Sequence, residues 1–196
     1  MHDNQFHPKA ASAFFSNPKC KVAIPVGNVL QRDAIQQASL DPSVRAIHYR
    51  KAPDPYGTPS TPLSVVLERI DGDFLLAIRE TRPRRTEADL ARLADVLESN
   101  GLRLLERDAS DIRREPIFSN SHTVWSHERF PVSVNNRLKI AAALAEDGPQ
   151  SILEIEERAR PTCDIIAAVC ALACEALVDI DIRETPLGWR TVVRAR

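Results

Sequence analysis

Apolar positions along this chain recur in two rhythms, one helical and one alternating, and the changes of rhythm mark out its elements. Residues VLQRDAIQQASL (29–40) repeat at helical spacing and stop at Asp41-Pro42, because the residue before a proline is pushed out of the α region. VRAIHYRKA then reads as a strand, with Val44, Ala46 and His48 on one face and Ile47 and Tyr49 on the other. After the turn-rich PDPYGTPSTP come VVLERI and FLLAIRE, which flank Asp71-Gly72, a strong two-residue hairpin signal. TEADLARLADVLESNG predicts a helix with Thr86 as N-cap and Gly101 as a left-handed stop, its apolar face made by Leu90, Leu93, Ala94 and Leu97. LRLLERD returns to strand, and DIRREPIFSNSHTVW reads as a short helical or irregular return. The strands near 44–50, 64–70, 73–79 and 102–107 are expected in one mixed sheet flanked by the helices that start near 29 and 86, an α/β core.

Past Pro131 the pattern changes. NNRLKIAAALAEDG is a helix ended by Gly148, SILEIEERA a second opened by the capping box of Ser151 and Glu154, and TCDIIAAVCALACEAL a third with Thr162 as its expected N-cap. Two strands follow, VDIDIRE and WRTVVRA, joined through TPLG. Three helices and a hairpin in this order predict a winged-helix domain over 132–196, after an α/β domain over 28–131 and an arm over 1–27 that is polar, proline-dotted and expected to hold little regular structure.

The length of 196 residues suits a large domain plus a small one, and 43% hydrophobic content with only 6 glycines predicts a folded chain. No apolar run approaches the ~20 residues that span a bilayer, and the N-terminus has no continuous apolar segment of the signal-peptide kind, so a cytoplasmic protein without membrane attachment is expected. Charge is balanced: 18 basic against 17 acidic residues before position 134 and 8 against 10 from there on, without the strongly basic footprint of a dedicated DNA-binding domain. Cys163, Cys170 and Cys174 fall at offsets of seven and four, the spacing of one helical stripe; no zinc knuckle has this spacing, and a buried core stripe is expected, with Cys20 apart from it. The helix that carries the stripe is apolar nearly all round, more than a three-helix domain is expected to cover alone, and this predicts a homodimer.

In its order of segments, over residues 28–196, the chain resembles the TnsA-like endonuclease family of transposon proteins. VLQRDAIQQASLDPSVRAIHYRKAP follows the family's S-x-x-E-R-D helix, L-x-x-D-P-x-V and extended Q-P segment. STPLSVVLERIDGDFLLAIRE stands where the family has Y-x-P-D-F, a strand, D-G and an E-V-K strand. NGLRLLERDASDIRREPIFSN is similar to G-x-x-F-x-V-x-T followed by I-R-x-x-P-x-x-x-N. The resemblance implies a restriction-endonuclease-like mixed sheet with flanking helices, then a winged helix. At the family's chemical positions the chain departs throughout: the helix glutamate corresponds to Gln31, the aspartate after proline to Leu63, the acid of E-V-K to Ala77 and its lysine to Arg79. Phosphodiester hydrolysis with Mg²⁺ or Mn²⁺ needs hard anionic oxygens, which leucine and alanine do not supply. The expectation is a catalytically inactive nuclease-fold protein with no metal and no cofactor, acting in DNA association or protein docking, with a mobile-element role carried by the resemblance.

Other candidates belong beside this one. Glu68, Asp71, Asp73 and Glu80 lie in the same hairpin and would be the ligands of a relocated metal site in a divergent endonuclease; solvent-facing strand edges and a polar turn are the simpler reading. Arg79, Arg82, Arg84 and Arg85 follow the second hairpin strand and, with Arg183 and Arg190 near the C-terminus, are the candidate contacts for nonspecific DNA binding, against a solvated basic turn. Arg158, Arg160, Arg194 and Arg196, and in the arm Lys9, Lys19 and Lys21, are weaker candidates of the same kind. His122, His127 and Glu128 are read as structural or surface groups, because their spacing gives no clear common face for a metal. The helix TCDIIAAVCALACEAL has no basic side chain and two acids, which argues against groove reading and for a buried or protein-facing helix, with a protein partner expected through this domain; a winged-helix transcriptional or accessory regulator is the alternative.

Overall fold

The computed structural model describes residues 13–54 and 62–196. Two short strands open it, β1 (Ala13–Phe15) and β2 (Ile24–Val26), paired antiparallel. Helix α1 (Val29–Leu40) follows, its first turn held by Asn28, whose side chain accepts from the Gln31 backbone N–H at 2.8 Å. Strands β3 (Val44–Lys51), β4 (Leu63–Arg69), β5 (Gly72–Arg79) and β6 (Arg103–Asp108) form one four-stranded sheet in that order, antiparallel at the first two pairings and parallel at β5–β6. The parallel return needs a crossover, and α2 (Glu87–Glu98) supplies it, opened by the Thr86–Asp89 capping box and closed at Gly101 with φ +64°. The mixed sheet and its flanking helices therefore match the expectation element for element.

Several local expectations are corrected. Val44 and Ile47 both enter the core rather than facing opposite ways, because the register shifts between Val44 and Ala46 and the bulge moves Arg45 out of the alternation. The hairpin turn is Ile70-Asp71, one residue earlier than Asp71-Gly72. Gly72 pairs with Arg69 as the first residue of β5 at φ +125°, a conformation that its missing Cβ makes available. On α2 only Leu97 is buried; Leu90 is 48% exposed and Ala94 is also at the surface, so most of the expected apolar face is uncovered.

The sheet's two faces are covered unequally. Val65, Leu67, Phe74 and Leu76 look toward α1 and belong to a large core, whereas Val66 and Leu75 look the other way and meet only Leu97, Leu102 and Ala52, with Leu93 and Leu104 alongside. At about 1.5–3 kcal/mol for each fully buried large aliphatic side chain, the first face carries most of the hydrophobic stabilisation.

After β6 the return is helical: α3 (Ala109–Ile112), capped by Asp108, and α4 (Ile117–Ser126). The C-terminal segment runs α5 (Val134–Asp147), β7 (Gln150–Ser151), α6 (Ile152–Ala159), α7 (Ile165–Cys174), β8 (Val178–Ile180) and β9 (Val192–Ala195), and the strands make an antiparallel sheet of order β7-β9-β8. Asp164, not Thr162, caps α7, accepting from the Ala167 N–H at 3.0 Å. Cys163 therefore sits ahead of the helix and only Cys170 and Cys174 share its buried face. Burial pushes both thiols up to about 12.

Every residue of α7 except Ile166 is buried within the chain, against α1, α4, α6 and β8. The apolar excess from which a homodimer was expected is thus covered from within, so that ground for a dimer falls. One core cluster runs across the boundary at 131/132, holding Ile35, Ile47 and Trp125 together with Ile140, Val169 and Val193.

The arm is also more than a tail. From Ala13 onward it packs: Phe15 meets the Trp125 ring edge-on at 5.1 Å, Ile24 is fully buried, and Asn17 Nδ2 donates to the Cys174 carbonyl at 2.6 Å. Cys20 bridges to Ile47 beside β3. Lys19, a candidate nucleic-acid contact, is 5% exposed and donates through Nζ to the Asp41 carbonyl at 2.8 Å; burial first, then the Arg196 charge, lowers its pKa to about 8. A buried ammonium bonded to a main-chain carbonyl is a structural tie. Lys21 is exposed, and Lys9 lies outside the described residues.

Candidate functional site: a pocket at the N-terminal end of helix α1

Gln31, Leu63, Ala77 and Arg79, distant in sequence, line a single cavity of about 330 Å³. Each is placed by a separate element. Asn28 and Gln31 come from the first turn of α1, Leu63 from the start of β4, and Ala77 and Arg79 from the end of β5; Tyr49 on β3 closes one side.

The chemistry of the wall is poor for a cation. The Gln31 side-chain carbonyl, the oxygen that a metal would take, accepts from the Gly27 backbone N–H at 2.9 Å. Leu63 is 55% exposed at the mouth and Ala77 is buried on the opposite face of the sheet, and neither offers a donor atom. Arg79 adds a permanent positive charge. One acid does stand on this wall: Asp54, just past β3, which the sequence reasoning missed. Its signal was faint, a lone aspartate among the prolines of a turn-rich loop. A single carboxylate is well short of the oxygen set that Mg²⁺ or Mn²⁺ requires.

The hairpin acids do not gather here. Glu68 is five residues along β4 from Leu63, about 17 Å at strand rise, and accepts from His48 Nε2 at 3.0 Å; that hydrogen bond holds the exposed carboxyl below its usual range. Asp71 lies between Arg69 and Arg103, each at 3.2 Å, and Asp73 lies 3.5 Å from Arg50. Glu80 is exposed beyond the end of β5 and is not among the residues lining the pocket. Among the described residues no group of three or more His, Cys, Asp or Glu side chains is placed to hold a metal ion. His122 Nε2 is 3.1 Å from Asp33 Oδ1, and His127 Nδ1 donates to the Thr123 carbonyl at 2.8 Å, so the two imidazoles serve different partners. Asp33, 2% exposed on the inner side of α1, is a second acid that the apolar pattern hid.

Of the six candidate arginines, only Arg79 reaches the pocket. Arg85 is held in a two-bond fork on Glu106, both at 2.8 Å, with both side chains largely buried. Arg82 is paired with Asp108 and Asp111, and its hydrogen bond lowers the Asp111 pKa. Arg183 donates to Asp41 Oδ1 at 2.7 Å. A phosphate would have to compete with these carboxylates. Arg84 and Arg190 are exposed.

The sequence matches no protein-family model and no curated protein. Among the described residues no helix is long and apolar enough to cross a membrane.

Proposed function

We propose that this chain is a nuclease-fold protein of the TnsA-like kind that has lost metal-dependent cleavage and acts by associating with DNA. The observation that carries the proposal is that Gln31, Leu63, Ala77 and Arg79 all line one pocket at the end of a sheet ordered β3-β4-β5-β6, with α1 before it and α2 as its crossover. That order supports a restriction-endonuclease-like core. At the positions where such a core holds its metal, this chain has an engaged amide, two apolar groups and a guanidinium, a set that repels a divalent cation and suits a phosphate oxygen. Phosphate contact by Arg79 retains DNA where hydrolysis is lost. The mobile-element role rests on the resemblance alone.

For the C-terminal segment, the order helix, strand, helix, helix, strand, strand and the sheet β7-β9-β8 support a winged helix. Its third helix, α7, is buried and lacks basic groups, so it does not enter a groove. That disfavours the sequence-specific regulator and leaves the outer surfaces of this segment for protein docking.

The test is a plasmid-nicking assay in Mg²⁺ and in Mn²⁺ beside a DNA-binding titration over salt. The expected result is no nicking, with binding that weakens as salt rises and weakens further in Arg79→Ala. Metal-dependent nicking that is abolished in Asp54→Asn, Glu68→Gln or Glu80→Gln would mean that the carboxylates have moved and the protein is an enzyme.

A further inference from the structure

At the other end of α1 lies a second cavity, of about 260 Å³, between the α1-facing side of the sheet and the C-terminal segment. Its floor is apolar, built from Leu40, Leu67, Leu105 and Ile182. Its rim carries four arginines: Arg69, Arg107, Arg114 and Arg183. Two are compensated. Arg183 donates to Asp41, and Arg69 Nε lies 3.2 Å from Asp71 Oδ1, although the alignment is too poor for a hydrogen bond. The other two are not: among the described residues neither Arg107 nor Arg114 has a carboxylate within ion-pair distance, and Arg107 Nη2 donates only to the main-chain carbonyl of Asp111 at 3.0 Å. Burial holds the Arg107 guanidinium below its ordinary pKa, and the like charge of Arg114 adds to the lowering, against the favourable charges of Asp111 and of Asp41, a carboxylate on the cavity wall that Arg183 engages.

Arg107, partly buried beside an apolar floor with no carboxylate at ion-pair distance among the described residues, bears a burial cost that an anion relieves, and Arg114 is exposed on the rim to share that anion. The wall also contains Gln37, 3% exposed, whose Nε2 donates to the Ile112 carbonyl at 2.7 Å while its Oε1 is buried with no partner, an acceptor left for a ligand hydroxyl once the side chain shifts. We infer that this cavity binds a small phosphate monoester, its phosphate between Arg107 and Arg114, its organic body on the Leu40–Leu67–Leu105 floor and a hydroxyl toward Gln37. A monoester's charge of about −1.5 to −2 matches the two open cations, and the cavity has room for a small ester rather than a polymer. The inference is independent of the role proposed for the pocket at the N-terminal end of α1.

The experiment is isothermal titration of the full chain with ribose 5-phosphate, inorganic phosphate, ribose and a 5′-phosphorylated DNA duplex. Ribose 5-phosphate is expected to bind saturably at one site per chain, more tightly than inorganic phosphate, with no binding of ribose. Arg114 is exposed, so Arg114→Gln leaves the fold intact, and it should weaken the ester at least tenfold. Arg92→Gln, on the outer side of α2, should change nothing. Failure of the ester to saturate, equal affinity in Arg114→Gln, or an equal loss in Arg92→Gln would overturn the inference. So would Arg114-dependent binding of the duplex without binding of the ester, which would assign the site to nucleic acid.

Discussion

Helices α2 and α7 both carry apolar stripes, yet one lies on the rim of the molecule and the other at its centre. In α7 nine of ten residues are buried, Cys170 and Cys174 among them; in α2 only Leu97 is. The difference comes from their surroundings rather than from their own pattern. α7 is enclosed by α1, α4, α6 and β8 and bonded by Asn17, whereas α2 lies against one sheet face whose core consists of a few side chains. A stripe in the sequence states what a helix can bury, and the rest of the fold decides whether it does.

Substitutions can break this contrast, and the largest effect belongs to the centre. Ala168 is fully buried in α7, so Ala168→Asp places an unpaired carboxylate in the core and should cost more than about 4 kcal/mol, leaving no cooperative thermal transition by circular dichroism. A variant that melts like the parent would show that α7 is not enclosed. On the rim, Leu97→Ala should cost about 2–4 kcal/mol, read as a lower urea midpoint. If Leu97→Ala has no effect, α2 is not docked on the sheet at all.

The seal over the α7 side can be probed by pH. Lys19 has a folded pKa of about 8 against an ordinary 10.5. Below pH 8 both states hold the proton and the folded state bears the burial of the charge. Between pH 8 and 10.5 the unfolded state binds more protons, so stability should rise with pH through that window. In Lys19→Met this rise should be lost; melting temperatures from pH 7.5 to 10 for the two proteins, subtracted, isolate the contribution of the lysine. The smallest effect is expected at Leu90, 48% exposed on α2, where Leu90→Ala should stay within about 0.5 kcal/mol of the parent by urea denaturation. A larger loss would mean that the outer stripe of α2 is covered in solution.

Much of this architecture is legible in the sequence, because its punctuation is local. Asp41-Pro42 stops α1, Thr86 and Gly101 bound α2, and the Ser151–Glu154 box opens α6, each acting within a turn of itself. What escaped depends on distant partners. The bulge at Arg45 exists because Val44 and Ile47 are both drawn into one core, and β1 exists because β2, Trp125 and the Cys174 carbonyl await it. The turn moved by one residue because Gly72 serves the strand with its positive φ rather than completing the loop. At the pocket, the order of segments grouped Gln31, Leu63, Ala77 and Arg79, which all line it, but did not show the side of the sheet each side chain takes. Asp54 was not legible, since a loop residue shows no periodicity to say where it ends.

The arm's bond to α7 has a kinetic consequence. Asn17 and the Cys174 carbonyl are separated by 157 residues, and Arg196 reaches the Val44 carbonyl across 152. Contacts of such separation form slowly, because the loop between them must close before they contribute. During synthesis, Phe15, Ile24 and Ile47 leave the ribosome long before α7, whose residues complete their core cluster, so the nascent chain displays an unfinished apolar surface until its last third has emerged. Strand β1 can pair with its near neighbour β2 early, but a chain released before α7 has none of that helix's core for the pair to join.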